Sequence, residues 1–198
     1  MSVVSDLPFP MPLAAALGGR HSVRNFKPNM LNRQQILSLL FAAVRAPAAI
    51  DQEPWAFVVV QDKALLKRIS DRAKPLFLDE AQRQHVERTG HGANILADPD
   101  FNIFYNAGTL ILLCGLAVAP YVAADCWLAA ENVLLAAHAA GLGACVIGSA
   151  VAALNQEEVK RELDIPPSYT VVVPIIAGVP VSAGEPSPRR EPRILHWK

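Results

Sequence analysis

Apolar residues fall into blocks whose spacing alternates between helical and strand-like. Ile36, Leu37, Leu39, Leu40, Ala43 and Val44 recur with helical period behind Asn32, and Gln35 stands three residues after that asparagine, the spacing of a capping box. A helix is predicted there, ended by Pro47. Trp55-Ala-Phe-Val-Val-Val60 is β-branched and aromatic and predicts a strand, after which Asp62 is suited to cap a helix with Leu65, Leu66 and Ile69 on one face. Residues 76–100 are mixed in character. A helix is predicted over Leu78–Arg88, then a Gly-His-Gly turn at 90–92.

The stretch from Phe101 to Ala124 carries no charge, long enough to raise the question of a membrane span. Asn102, Asn106, Gly108, Thr109, Gly115 and Pro120 break it, so the reading is a polar turn, a strand-like run Leu110–Leu113, a turn and a helix start. From Asp125 to Ala140 the strongly polar residues are Asp125, Glu131, Asn132 and His138, with Gly141 placed to terminate a helix. A helix so apolar must be covered all round, either at the centre of the domain or at a dimer seam. Asn155-x-x-Glu158 predicts the cap of a short helix ended by Pro166-Pro167, and Thr170–Ala177 a buried strand in which Pro174 suggests an edge or a bulge. Residues 1–17, with Pro8, Pro10 and Pro12, read as an extended N-terminal arm, and 18–198 as one domain. The pattern gives an α+β fold with a modest sheet.

Composition narrows the partners. The 198 residues are 52% hydrophobic and 18% charged, which excludes disorder over most of the length and suits one domain of ordinary size. Eighteen Lys plus Arg balance eighteen Asp plus Glu, so no positive field exists to hold nucleic acid. So apolar and neutral a chain is expected to bury surface against a second copy. Cys114, Cys126 and Cys145 lie in apolar runs without metal-ligand spacing, as small buried hydrophobes of a reducing compartment would. With no signal peptide evident, the expected location is cytoplasmic.

The familiar catalytic patterns are missing. Gly141-Leu-Gly143 with Gly148 does not fit a dinucleotide fingerprint, and no P-loop or nucleophile elbow occurs. His21, His85, His91, His138 and His196 show no i, i+3 or i+4 pairing, so no metal site is expected. What remains is Arg20-His-Ser-Val-Arg24. In an extended segment residues 20, 22 and 24 share a side, so two guanidinium forks and a hydroxyl can converge on one anion such as a phosphate, unless the segment is merely a solvated basic turn. Three further elements have bland alternatives: the loop Ala46–Trp55, stiffened by prolines, as a connector; Gly141–Ser149, with small residues that admit a flat ligand, as a packed strand and turn; and Arg189-Arg190-x-x-Arg193 as solvated charge.

In this order, the four elements resemble the nitroreductase family of FMN-dependent oxidoreductases. Arg20, Ser22 and Arg24 match its opening Arg-x-Ser-x-Arg motif, Pro47, Pro54 and Trp55 part of its Pro-Ser-x-x-Asn-x-Gln-Pro-Trp loop, Ala129–Gly143 its alanine-rich helix into Gly-Leu-Gly, and Ile147-Gly148 its Ile-Gly turn. The resemblance implies a central, mostly antiparallel sheet flanked by helices in an intertwined homodimer with FMN at the subunit interface. It implies that Arg20, Ser22 and Arg190, with His21 beside them, hold the FMN phosphate, and that Arg24 reaches the ribityl chain or the N1–O2 edge, where a cation offsets the charge of reduced flavin. Ile147, Gly148 and Ser149 would lie against the flavin with a backbone N–H of Gly148 at N5. Pro47, Ala48, Ala49 and Asp51 would come from the partner subunit.

The sequence departs from the family at Ala48, Asp51 and Glu53, which stand where Ser, Asn and Gln are usual. A carboxylate only accepts, so an ionised Asp51 facing the pyrimidine ring would lower the flavin potential. The implied reaction is ping-pong hydride transfer from NADH or NADPH through flavin N5 to a small-molecule electron acceptor such as a nitroaromatic or quinone, with no obligatory protein acid or base. Residues 76–106 would cover the flavin, with Phe101, Phe104 and Tyr105 as substrate contacts or core residues. The alternatives are a specialised flavoenzyme (flavin fragmentation, dehalogenation or dehydrogenation) and a flavin-binding protein without turnover.

Overall fold

Four apolar runs pair into one sheet. In the computed structural model, which describes residues 9–51, 53–83, 98, 100–186 and 188–198, strands β1 (Trp55–Val60), β2 (Thr109–Leu116), β3 (Gly143–Val146) and β4 (Tyr169–Gly178) form an antiparallel sheet in the order β1-β2-β4-β3. Strand alternation sends Leu110, Leu112 and Cys114 of β2 into one apolar layer and Ile111 and Leu113 into the other. On the first face lie helices α3 (Lys63–Arg83) and α5 (Val151–Leu154); on the second lie α2 (Arg33–Ala43) and α4 (Val122–Ala139). A short helix α6 (Glu157–Glu162) leads into β4. The α+β architecture and the antiparallel sheet are as expected.

Several elements follow the sequence closely. Asn32 and Gln35 form the reciprocal capping box of α2, and Asp62 accepts from the Ala64 and Leu65 N–H groups at the start of α3. Helix α4 closes as predicted at Gly141, whose φ of +70° lets the Leu142 N–H reach the Ala137 carbonyl and its own N–H that of His138.

Other expectations are corrected. Residues 13–19 are not extended: helix α1 (Leu13–Gly19) starts after Pro12, a residue well suited to a helix start, and buries Ala16. No new helix begins at Leu78, because α3 runs unbroken through Pro75 to Arg83; Leu66, Ile69, Ser70 and Ala73 are buried beneath the sheet, and their packing outweighs the lost backbone bond. The remainder of the predicted 78–88 helix and the Gly-His-Gly turn lie outside the described residues. β2 continues past Leu113 to Leu116. Gly115 pairs with Trp55 and Thr170 within the strand, and glycine suits it there because α4 crosses so closely that a Cβ would sit 2.2 Å from Val122 Cγ2.

Asn155 does not cap α6. Gln156 occupies that place, and the Asn155 amide instead pairs with the N–H and carbonyl of Val171, both at 2.9 Å, replacing ladder partners where β3 no longer reaches β4. Pro174 does not mark an edge, since β4 lies between β2 and β3; β3 has ended beside it, so no strand partner lacks the missing N–H. The bulge suggested by the proline occurs two residues earlier. Val172 is the extra residue, and it turns Val171 to one face of the sheet while Val173 and Ile175 point to the other.

Among the described residues, no helix is long and apolar enough to cross a membrane.

Candidate functional site

The segment Arg20–Arg24 lies alongside β3, with a parallel bridge between Ser22 and Ala144 and a bond from the Val23 N–H to the Ala144 carbonyl at 3.1 Å. Val23 packs on Gly143, whereas Ser22 and Arg24 are exposed. The alternation expected of an extended segment is therefore present. Arg20 Nε meets Glu131 Oε1 of α4 at 3.3 Å, which orients the guanidinium through one nitrogen and leaves its terminal nitrogens for another acceptor. Arg24 lies over the Tyr105 ring, 5.9 Å from guanidinium carbon to centroid.

His21 turns the other way. Its Nδ1 lies 3.0 Å from the Gly19 carbonyl, and its ring meets that of His138 edge-on with centroids 6.1 Å apart. His138 is held below the ordinary histidine range by burial first and then by His21 and Arg20. The tail leaves beside this cluster: Phe26 bridges Pro180, the Val181 N–H bonds the Asn25 carbonyl, and Gly184 packs on His21. Arg190 is exposed, and among the described residues it has no hydrogen bond or ion pair bringing it to Arg20.

The turn after β3 has a buried Ile147, a half-buried Ser149 and an exposed Gly148 at which a Cβ would meet nothing. Space thus exists against this backbone for a flat group. In the loop before β1, Pro47 is exposed and Ala48 and Ala49 are half-buried, and the Ala49 N–H donates to Asp125 Oδ1 of α4 at 3.0 Å. Ile50 and Glu53 adopt φ of +58° and +43°. The Asp51 side chain, on which the expected lowering of the potential depends, and Gln52 lie outside the described residues.

Phe101 and Tyr105 are half-buried and meet edge to face, while Phe104 is fully buried in the core. Phe104 is therefore corrected from a substrate contact to a packing residue, its ring enclosed with Leu66, Ile69 and Leu110. Sequence reasoning missed what fixes this segment: Ser70 Oγ accepts the Ile103 N–H at 3.0 Å, and buried Lys74 donates to the carbonyls of Asp98 and Phe101 at 3.1 and 2.8 Å. It also gave no role to Asp125, although a lone acid in the first turn of an apolar helix was the available signal. Cys114 and Cys126 are pushed up by burial to about 11 and about 12, so neither is a ready nucleophile.

Two guanidinium groups, a hydroxyl and an exposed glycine turn are thus collected at β3, a set that suits a phosphorylated planar cofactor. Comparison with known proteins agrees with this chemistry. The profile described as "Nitroreductase family" matches residues 17–179. A Methanothermobacter thermautotrophicus protein with the provisional name NADH dehydrogenase/NAD(P)H nitroreductase is 29% identical over 79% of this chain and 71% of its own length. The iodotyrosine deiodinase of Thermotoga neapolitana is 25% identical over 87% of this chain and 90% of its own. The crystal structure of a nitroreductase with bound FMN from Bacteroides fragilis superposes with a TM-score of 0.78 at 21% identity, covering 95% of this chain and all 100% of that one.

Proposed function

The chain belongs to the nitroreductase family, and from that premise we propose that it is an FMN-dependent oxidoreductase that takes reducing equivalents from NAD(P)H and delivers them to a small oxidant such as a nitroaromatic or a quinone. The observation that carries this reading is the outward alternation of Arg20, Ser22 and Arg24 along β3, with Arg20 already oriented by Glu131 and Arg24 by Tyr105. Bound FMN would supply a two-electron carrier able to accept a hydride from a nicotinamide and pass it on.

The chain's own residues bind, orient and compensate charge. Arg20 and Ser22 hold the phosphate, with His21 behind them and Arg190 supplied by the exposed tail. Arg24 sets a fixed positive charge where the reduced ring becomes negative, and Tyr105 keeps it there. Gly148 and Ser149 leave room for the ring and present backbone to it, and the 47–51 loop comes from a second copy. Exposed Val118, Tyr121, Trp127 and Leu128 around α4, with Ile194, Leu195 and Trp197 in the tail, supply apolar surface for such a homodimer. No side chain is assigned as a general acid.

Anaerobic titration with NADH and then NADPH, followed at the flavin band near about 450 nm, tests the reading. The FMN-loaded protein is expected to bleach, and Arg20→Ala to bind FMN at least about tenfold more weakly. A protein that takes up no FMN overturns the proposal; one that binds FMN but does not bleach supports a binder without turnover. The deiodinase relative sustains a second reading, a specialised dehalogenating flavoenzyme. Turnover of a halogenated phenol, with slow turnover of nitroaromatics and quinones, would favour it.

A further inference from the structure

Asp125 stands in the first turn of α4, 3% exposed, and its carboxylate serves no N–H group of its own helix. One oxygen, Oδ1, accepts the Ala49 N–H of the loop before β1 at 3.0 Å; the other, Oδ2, is buried without a hydrogen-bond partner. Burying a carboxyl group with one oxygen unpaired is costly, and the positive end of α4 offsets only part of that cost. The bond from the Ala49 N–H is the hydrogen bond this buried carboxyl group makes. Among the described residues, it is also the hydrogen bond that ties Pro47–Asp51 to another element.

The loop needs such a tie. Ile50 and Glu53 lie in the left-handed region, which residues bearing a Cβ leave readily unless the surroundings hold them. Ala48 packs on the core, but neither Ala48 nor Ala49 has a polar side-chain group, so a hydrogen bond that fixes the segment there must go through its backbone. We propose that Asp125 is a positioning residue that, through the Ala49 N–H, sets the 47–51 loop in the shape that meets the flavin of the partner subunit. The inference rests on the FMN reading above. Asp125 touches neither cofactor nor substrate. It determines how the loop is presented.

The test compares wild type, Asp125→Ala and Asp125→Asn as full-length protein, reading FMN dissociation constant, flavin midpoint potential and the visible circular dichroism of bound flavin. Asn keeps an oxygen for Ala49, whereas Ala leaves that N–H unpaired. Asp125→Ala is expected to bind FMN about tenfold more weakly, with an altered dichroism band, while Asp125→Asn stays within about twofold of wild type with its band intact. Equal affinity and spectra in wild type and Asp125→Ala overturn the proposal, and so does Asp125→Asn failing as badly as Asp125→Ala, which would make charge rather than the Ala49 bond the cause. An Asp125→Ala chain that does not fold, beside an Asp125→Asn chain unchanged in every reading, assigns the residue to the fold and overturns it equally. Wild type that takes up no FMN instead removes the functional reading beneath it.

Discussion

Of the segments that hold non-glycine residues in left-handed backbone, two are supported very differently: the one with Tyr105 and Asn106 at φ of +52° and +54°, and the one with Ile50 and Glu53 at +58° and +43°. The first is clamped from below by Lys74 and Ser70 and from within by bonds from the Tyr105 N–H to the Asn102 carbonyl and from the Phe104 N–H to Asn102 Oδ1. Among the described residues, the second is hydrogen-bonded to another element through Asp125 and packs Ala48 on the core, and Ile50 is 69% exposed. The same kind of strain is thus over-determined in one place and barely supported in the other. Among the described residues, the turn at 101–107 is held by contacts within the chain and presents Tyr105 to Arg24. In the proposed homodimer, a second subunit and its flavin would complete the support of Ile50.

The largest effect should come from loosening the better-held segment. Lys74→Met leaves the Asp98 and Phe101 carbonyls without their charged donor and is expected to cost about 3 kcal/mol, a fall in melting temperature of about 10 °C by thermal denaturation. Acceptor KM should rise as well if Tyr105 and Arg24 move with the turn. Unchanged stability would show that the clamp is redundant and that the contrast between the segments is false.

A smaller effect of opposite sign is expected in the weaker segment. Ile50→Gly relieves an exposed β-branched residue of its left-handed conformation and should stabilise the isolated chain by about 1 kcal/mol. Sedimentation at falling protein concentration, with and without FMN, sharpens the comparison: the variant should be the weaker dimer if the Ile50 side chain is covered by a partner. A variant that is more stable and dimerises as well as wild type would show that the strain has no role in assembly.

How much of this was legible in the sequence follows from the range of the interactions. The α2 capping box, the β1 run and the Gly141 stop depend on residues within a few positions of one another, and Asn32, Trp55–Val60 and Gly141 announced them. The alternation of Arg20, Ser22 and Arg24 was equally local. What escaped depends on distant partners: nothing near Asn155 says that its amide will pair with Val171, and nothing near Pro75 says that packing will carry α3 through it. The candidate site divides in the same way. Arg20 and Gly148 could be picked out from order and spacing, whereas Glu131 behind Arg20, Lys74 under Phe101 and Asp125 under Ala49 become visible only when the helices are laid on the sheet.

The smallest expected effect concerns pH, and it separates the clamped turn from the phosphate end of the site. His138 is depressed in the folded chain, by burial first and then by His21 and Arg20, so the unfolded chain takes up its proton at a higher pH than the folded one. The corresponding stability is full above the unfolded value of about 6.5 and is lost as pH falls through 6.5 toward the folded value. Melting temperature should therefore fall more steeply below about pH 6.5 in wild type than in His138→Gln, with Lys74→Met keeping the wild-type slope because its lesion lies elsewhere. A phosphate dianion beside Arg20 would favour protonated His138 and flatten the slope in FMN-loaded wild type. Identical acid slopes with and without FMN would move the phosphate away from His138, and with it the assignment of Arg20 and His21 to that end of the cofactor.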